Sequence, residues 1–263
     1  MTLALIGAGN MGGALLSGWL AAGWSADDIV VVQRSTGRAE QLEQQFGVRC
    51  VSLDEAAQAD TIVVAVKPYQ FDDVLAALNP KPGALVVSVA AGVTVDRLRA
   101  ALPDGTPSVR VMPNTGALVG ACMSGIVPGA NATDGHVQRV QELFNAVGET
   151  LITDEQHLDA LTALSGSGPA YLFYIADAMI EAGVHQGLTR ADATTLTTQT
   201  FRAAAELLAQ SGKTAVELRE QVTSPGGTTA AALRALDDHG VRAAVMDAID
   251  ACAARANALA QED

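Results

Sequence analysis

The sequence predicts an α/β protein, with a doubly wound parallel sheet in the first part of the chain and an all-helical domain after it. Three observations predict this. The chain opens on an apolar strand pattern, Leu3-Ala4-Leu5-Ile6, that runs into a glycine turn and then an amphipathic helical stretch. Further near-continuous apolar segments alternate with helical ones, as expected of parallel strands buried on both faces. From Thr153 onward the strand patterns stop, and helical periods are punctuated by Gly, Pro and hydroxyl residues.

Taken in order, the first turn reads Gly7-Ala8-Gly9-Asn10-Met11-Gly12. This is the Rossmann-type dinucleotide spacing: Gly7 for the tight turn, Gly9 for close approach of backbone to a pyrophosphate, and Gly12 for close helix packing. Gly23 is expected to close the helix, and 27–32 to form the second strand of a βαβ unit. After that strand, an NAD-specific site usually places a carboxylate for the ribose hydroxyls. This chain has Gln33-Arg34-Ser35 instead. Arg34 can pair with a 2′-phosphate and Ser35 can hydrogen-bond to it, so NADPH is expected as cofactor, with NADH the weaker partner. The alternative for Arg34 is an ordinary solvated side chain at a strand end.

Further strands are expected at 61–66, 84–89 and 108–112, with capping boxes at Ser52 and Thr94 starting short helices. Ligands of such sheets lie beyond the carboxyl ends of the strands. Val66-Lys67-Pro68, Ala90-Ala91-Gly92 and Pro113-Asn114-Thr115 fall there. Lys67 suits a phosphate or ribose, and Asn114 suits the nicotinamide side of the cofactor; both residue types are also common in plain turns.

The boundary is expected at 153/154, where Thr153-Asp154-Glu155-Gln156 reads as a capping box. One helix should begin near Pro169 and end at Gly183, and another should run from about 190 to 210 and stop before Gly212. A capping box at Thr214 starts a third, and the last carries an apolar stripe of Val241, Val245, Ala248, Ile249, Cys252, Ala256 and Leu259. A small helical domain of this composition is expected to bury its apolar faces against a second copy, which makes a homodimer.

Two polar, glycine-rich loops stand at helix starts in this region: Ser165-Gly166-Ser167-Gly168-Pro169 and Val222-Thr223-Ser224-Pro225-Gly226-Gly227-Thr228-Thr229. Each offers backbone N–H groups and hydroxyls without net charge, a cradle for a small carboxylate, and together they suggest one shared pocket. The plainer reading of the second loop is a helix start with Thr228 as N-cap. The serines do not form a nucleophile elbow, because neither loop contains G-x-S-x-G.

Composition narrows the class. The 263 residues carry a net charge of −13, which argues against a nucleic-acid partner. No apolar run approaches the roughly 18 residues of a membrane span, so no membrane partner is expected. The three cysteines form no paired motif and fit a reducing, cytoplasmic compartment, and the four histidines are scattered without metal-ligand spacing, so no metal is expected.

The blocks Ile6-Gly7-Ala8-Gly9-Asn10-Met11-Gly12, Val66-Lys67-Pro68, Val111-Met112-Pro113-Asn114, Ser165-Gly166-Ser167-Gly168-Pro169-Ala170-Tyr171 and the loop 222–229 resemble, in order, those of the pyrroline-5-carboxylate reductases. The resemblance covers essentially the whole chain, and the loop 222–229 is its most specific element. It implies reduction of L-1-pyrroline-5-carboxylate to L-proline by hydride transfer to the imine carbon. It implies further that the Thr229 hydroxyl meets the ring nitrogen. The substrate carboxylate would lie against Ser224, Gly226, Gly227 and Thr228, with Ser165 and Ser167 on its other side. Members of that family pair their helical domains, and often assemble a decamer of five dimers. A hydroxy-acid dehydrogenase, the nearest rival, needs a lysine on the first helix of the second domain. The segment 169–182 has none. A non-catalytic NADP-sensing protein is the other rival, and retention of Thr229 and both loops argues against it.

Overall fold

β1 (Leu3–Ile6) is buried along its whole length, and its side chains alternate between two cores. Leu3 and Leu5 join a cluster on one face of the sheet, and Ala4 and Ile6 join a second cluster on the other. The same division holds for Val63 and Val87 against Ile62 and Val86, so both faces of the sheet are covered. This is why the strands read as unbroken apolar runs. The computed structural model describes residues 2–261, with side chains through residue 258.

After β1 come α1 (Asn10–Ala21), β2 (Ile29–Val32), α2 (Thr36–Phe46), β3 (Arg49–Cys50), α3 (Leu53–Ala56), β4 (Thr61–Val64), α4 (Phe71–Ala77), β5 (Leu85–Ser88), α5 (Val95–Ala100) and β6 (Ser108–Met112). Then follow β7 (Cys122–Pro128), α6 (Asp134–Asn145), β8 (Gly148–Ile152) and α7 (Glu155–Leu161). The eight-stranded sheet has the order β3-β2-β1-β4-β5-β6-β7-β8. The doubly wound α/β architecture is present, with one correction to an all-parallel sheet. β7 runs antiparallel to β6, with Val111 opposite Ile126, and β8 then pairs parallel to β7. Asp27 and Asp28, expected in the second strand, instead form a 3₁₀ turn capped by the Ser25 side chain, so the strand begins at Ile29.

On one face Trp19 of α1 is fully buried, and its indole N–H donates to the Leu143 carbonyl of α6 at 2.9 Å. Arg110, in the middle of β6, is buried and ion-paired to Glu155 at the start of α7. The other Glu155 oxygen accepts from the Val95 N–H at 3.3 Å, so one carboxylate ties β6, α5 and α7 together. The cap of α7 is Asp154, which accepts from the His157 N–H at 3.0 Å, not Thr153. α7 ends in a π-helical turn, Thr162–Gly166.

The chain divides into two compact units, 1–166 with 252–263, and 167–251; the contact pattern thus cuts 13 residues after the change in sequence pattern at 153/154. The second unit holds α8 (Gly168–His185), α9 (Arg190–Gln210), α10 (Ala215–Gln221), α11 (Thr228–Asp238) and the first part of α12 (Val241–Gln261). Gly183 does not end α8. A Cβ there would stand 3.0 Å from the Ala193 methyl, so the glycine serves close packing of α8 on α9, and the chain turns at Gly187 with φ +96°. α9 and the α10 capping box match expectation: Thr214 accepts from the Glu217 N–H, and Glu217 accepts from the Thr214 N–H. On α12, Val241 and Val245 are exposed and Leu259 lies outside the described side chains.

Candidate active site

A cleft of about 570 Å³ opens at the carboxyl ends of β1, β4, β5 and β6. Gly7, Gly9, Asn10, Met11, Arg34, Val66, Lys67, Pro68 and Ala90 all line it. The three glycines take three different roles. Gly7 has φ +92°, which only glycine adopts without strain, and a Cβ there would sit 3.0 Å from Val66 Cγ1. A Cβ on Gly12 would run into the Gly7 carbonyl oxygen, so α1 lies directly on the turn. A Cβ on Gly9 would meet nothing within 4 Å. The chain itself therefore gives no packing reason for glycine at position 9, and the open space there fits a pyrophosphate against the N–H groups of α1. Those groups are left available, because Gly9 is the N-cap of α1 and no side chain caps it.

Arg34 is exposed on the cleft, while Ser35 beside it is the N-cap of α2 and accepts from the Arg38 N–H at 3.4 Å. The Ser35 hydroxyl keeps its proton for a second partner. Sequence reasoning missed Gln70, Asp73 and Val74, which line the cleft from the start of α4. They carry no glycine or charge pattern by which to find them. Asn114 stands apart. The cleft lining stops at Pro113, and the Asn114 amide is engaged elsewhere: its nitrogen donates to Ser165, and its oxygen accepts from the Gly116 and Met123 N–H groups.

In the second unit, Ser224 to Gly227 form a tight turn. The Gly227 N–H donates to the Ser224 carbonyl at 3.0 Å, Pro225 occupies the second position, and Gly226 has φ +68° at the third. A Cβ on Gly227 would strike the Ser224 side chain, and none would obstruct Gly226. Thr228, the cap of the plainer reading, is not the cap. Gly227 is the N-cap of α11, with no side-chain hydrogen bond, and Thr228 and Thr229 are the first two helical residues. Glycine wins here because the extended backbone at 227 brings its position against Ser224, leaving no room for a capping side chain. Neither threonine hydroxyl is thus committed to capping. Thr228 and Ser224 are exposed and Thr229 is half-buried. Of the other loop, Ser165 lies in the first unit, and Ser167 begins the second as N-cap of α8 without a side-chain capping bond. Among the described residues no His, Cys, Asp and Glu cluster could hold a metal, and no helix is long and apolar enough to cross a membrane.

The family model for pyrroline-5-carboxylate reductase dimerisation matches residues 155–259, and a model for NADP oxidoreductases, coenzyme F420-dependent, matches residues 2–92. A pyrroline-5-carboxylate reductase of Mycobacterium tuberculosis is 42% identical, over 98% of this chain and 96% of its own. The solved structure of the Coxiella burnetii pyrroline-5-carboxylate reductase superposes with a TM-score of 0.93 at 34% identity, covering 98% of each chain. That of the Plasmodium falciparum pyrroline carboxylate reductase with NADP bound does so at 0.88 and 29%, over 99% of this chain and 98% of that one. With a fold, a cleft and a full-length likeness that agree, the chain belongs to the pyrroline-5-carboxylate reductase family of oxidoreductases.

Proposed function

We propose that this protein reduces L-1-pyrroline-5-carboxylate to L-proline with NADPH, the 1–153 region holding the dinucleotide and 154–263 binding substrate and pairing with a second copy. The observation that carries this reading is the combination of an open Gly9 turn with a second helix, α11, that is likewise capped by glycine and flanked by free hydroxyls. The reduced nicotinamide supplies a hydride for the imine carbon. The protein's part is to bind and orient. A cyclic imine protonated at nitrogen is already a strong acceptor, so no nucleophile or metal is required of the chain.

Gly7, Gly9, Asn10, Met11 and Gly12 form the pyrophosphate turn, and Val66, Lys67, Pro68 and Ala90 border the cleft along the cofactor's length. Arg34 and Ser35 take the 2′-phosphate, which is the basis for preferring NADPH to NADH. The N–H groups at the start of α11, together with Ser224, Gly226, Gly227 and Thr228, receive the substrate carboxylate, and Ser165 and Ser167 add donors. At a net charge of −13, such local dipoles must capture an anion against the overall field. Thr229 is the catalytic residue: its hydroxyl hydrogen-bonds the ring nitrogen and holds the proton there. The assembly is a homodimer in the cytoplasm, with a decamer of five dimers as its higher form.

The test is oxidation of NADPH by purified protein with pyrroline-5-carboxylate, NADH run in parallel, and proline identified as product. Thr229→Val preserves shape and deletes the hydroxyl, so kcat is expected to fall by about a hundredfold. Unchanged turnover removes Thr229 from the mechanism.

A further inference from the structure

Asn114 is half-buried at the end of β6, and four hydrogen bonds spend its amide completely. Two backbone N–H groups converge on Oδ1, from Gly116 at 3.0 Å and from Met123 at 3.3 Å. Both are donors, so the atom they meet must be the oxygen, and this fixes which way the amide faces. Nδ2 is then turned to Ser165, 3.1 Å from its carbonyl oxygen and 3.2 Å from Oγ.

The consequence falls on Ser165. Its Oγ accepts a hydrogen bond from the Asn114 amide, so its own O–H must point elsewhere, and no acceptor among the described residues receives it. Ser165 is half-buried in the π-helical turn Thr162–Gly166, a local widening of the helix often found at functional sites. Other short-chain hydroxyls around it behave differently: Thr162 donates back to the Leu158 carbonyl at 2.8 Å.

We propose that Asn114 is a positioning residue that sets the polarity of the Ser165 hydroxyl, holding it as a donor to the substrate carboxylate. Asn114 itself touches neither substrate nor cofactor. This rests on the reading above, in which Ser165 binds substrate, and it replaces direct contact of Asn114 with the nicotinamide.

Asn114→Asp tests it, because the carboxylate keeps an acceptor for Gly116 and Met123 but offers Ser165 an acceptor in place of a donor. The Ser165 hydroxyl then turns inward. The expected result is a KM for pyrroline-5-carboxylate raised about tenfold or more. The dissociation constant for NADPH, read by its fluorescence, and kcat should change little. Ser165→Ala should raise KM similarly, and the double variant should be no worse than either single one. If Asn114→Asp fails to fold, Asn114→Ala serves: its KM rise should vanish in the Ser165→Ala background. Additive losses, or a change in NADPH binding with KM unmoved, overturn the proposal. An active unmodified protein whose KM ignores both Asn114 variants overturns the positioning role alone, whereas an unmodified protein that makes no proline overturns the functional reading itself.

Discussion

In residues 1–166 the sheet carries dozens of side chains sealed from solvent on both faces, whereas across 167–251 only Ala193 and Thr197 are buried. Composition does not explain the difference. α8 is apolar on nearly every side, with Asp177, Glu181 and His185 forming one polar stripe at four-residue spacing. Yet Leu172, Phe173, Tyr174 and Met179 all lie open, Tyr174 at 79% exposure. One unit supplies its own core, and the other presents the faces of a core that a further surface must complete. That is what a region matching a dimerisation model should look like when a single copy is seen.

The sharpest way to break this contrast is Phe173→Asp, which puts a charge on a side chain that is 70% exposed in one copy. If that face is the interface of the proposed homodimer, the dimer dissociation constant should rise at least about a hundredfold in analytical ultracentrifugation. A dimer of unchanged strength would place the interface elsewhere. Within the first unit, two glycines separate packing from binding. Gly12→Ala forces a methyl into the Gly7 carbonyl and should cost about 2–3 kcal/mol in denaturant unfolding. Gly9→Ala meets no protein atom. It should leave the thermal midpoint in place while weakening NADPH binding about tenfold, because it pushes charge-assisted phosphate contacts apart.

The smallest effect concerns the edge of that same unit. Asp60 bonds to Lys81 at 2.6 Å and to the Thr2 N–H at 2.9 Å, and these contacts, Lys81 first, hold its carboxyl below the usual carboxylate range. The folded state therefore favours the ionised form. Its contribution is present at neutral pH and is lost as pH falls through the lowered value. Asp60→Asn should cost less than about 1 kcal/mol near pH 7, since both side chains are more than a third open to solvent or nearly so. The gap in thermal midpoint between the two proteins should close as pH drops below about 4.

The central strands were legible because a doubly covered strand must be apolar at every position, as in Ile62-Val63-Val64. β7 and β8 were not. β7 carries Ser124 and Gly125 where the Leu158 and Leu161 side chains crowd in, and β8 lies half open with Glu149 and Thr150 in it. β3, two residues long, gives no periodic signal at all. At the site, the glycine turns could be read because free N–H groups and absent side chains are a local property. The commitments of Asn114 could not, since its partner Ser165 lies 51 residues away and is brought close only by α7 and its π turn. The plainer reading of Thr228 as an N-cap fails for a related reason: its residue type favours capping, but the turn before it gives that place to Gly227.

Most helices of this protein carry their own caps: Ser35, Ser52, Thr94, Thr133, Asp154, Thr189 and Thr214 each accept a hydrogen bond from the first turn that follows. α1, α4, α8 and α11 have no side-chain cap, and in α1 and α11 glycine stands in the capping place. An anion docked there would act as a removable capping group, finishing the helix as Ser35 finishes α2. Occupancy then adds to resistance to unfolding, by about 2.7 kcal/mol at a hundredfold excess over the dissociation constant. Cells short of the nucleotide, in either redox state, would then hold a more perishable pool of this protein, so that its lifetime would follow the total supply of that ligand.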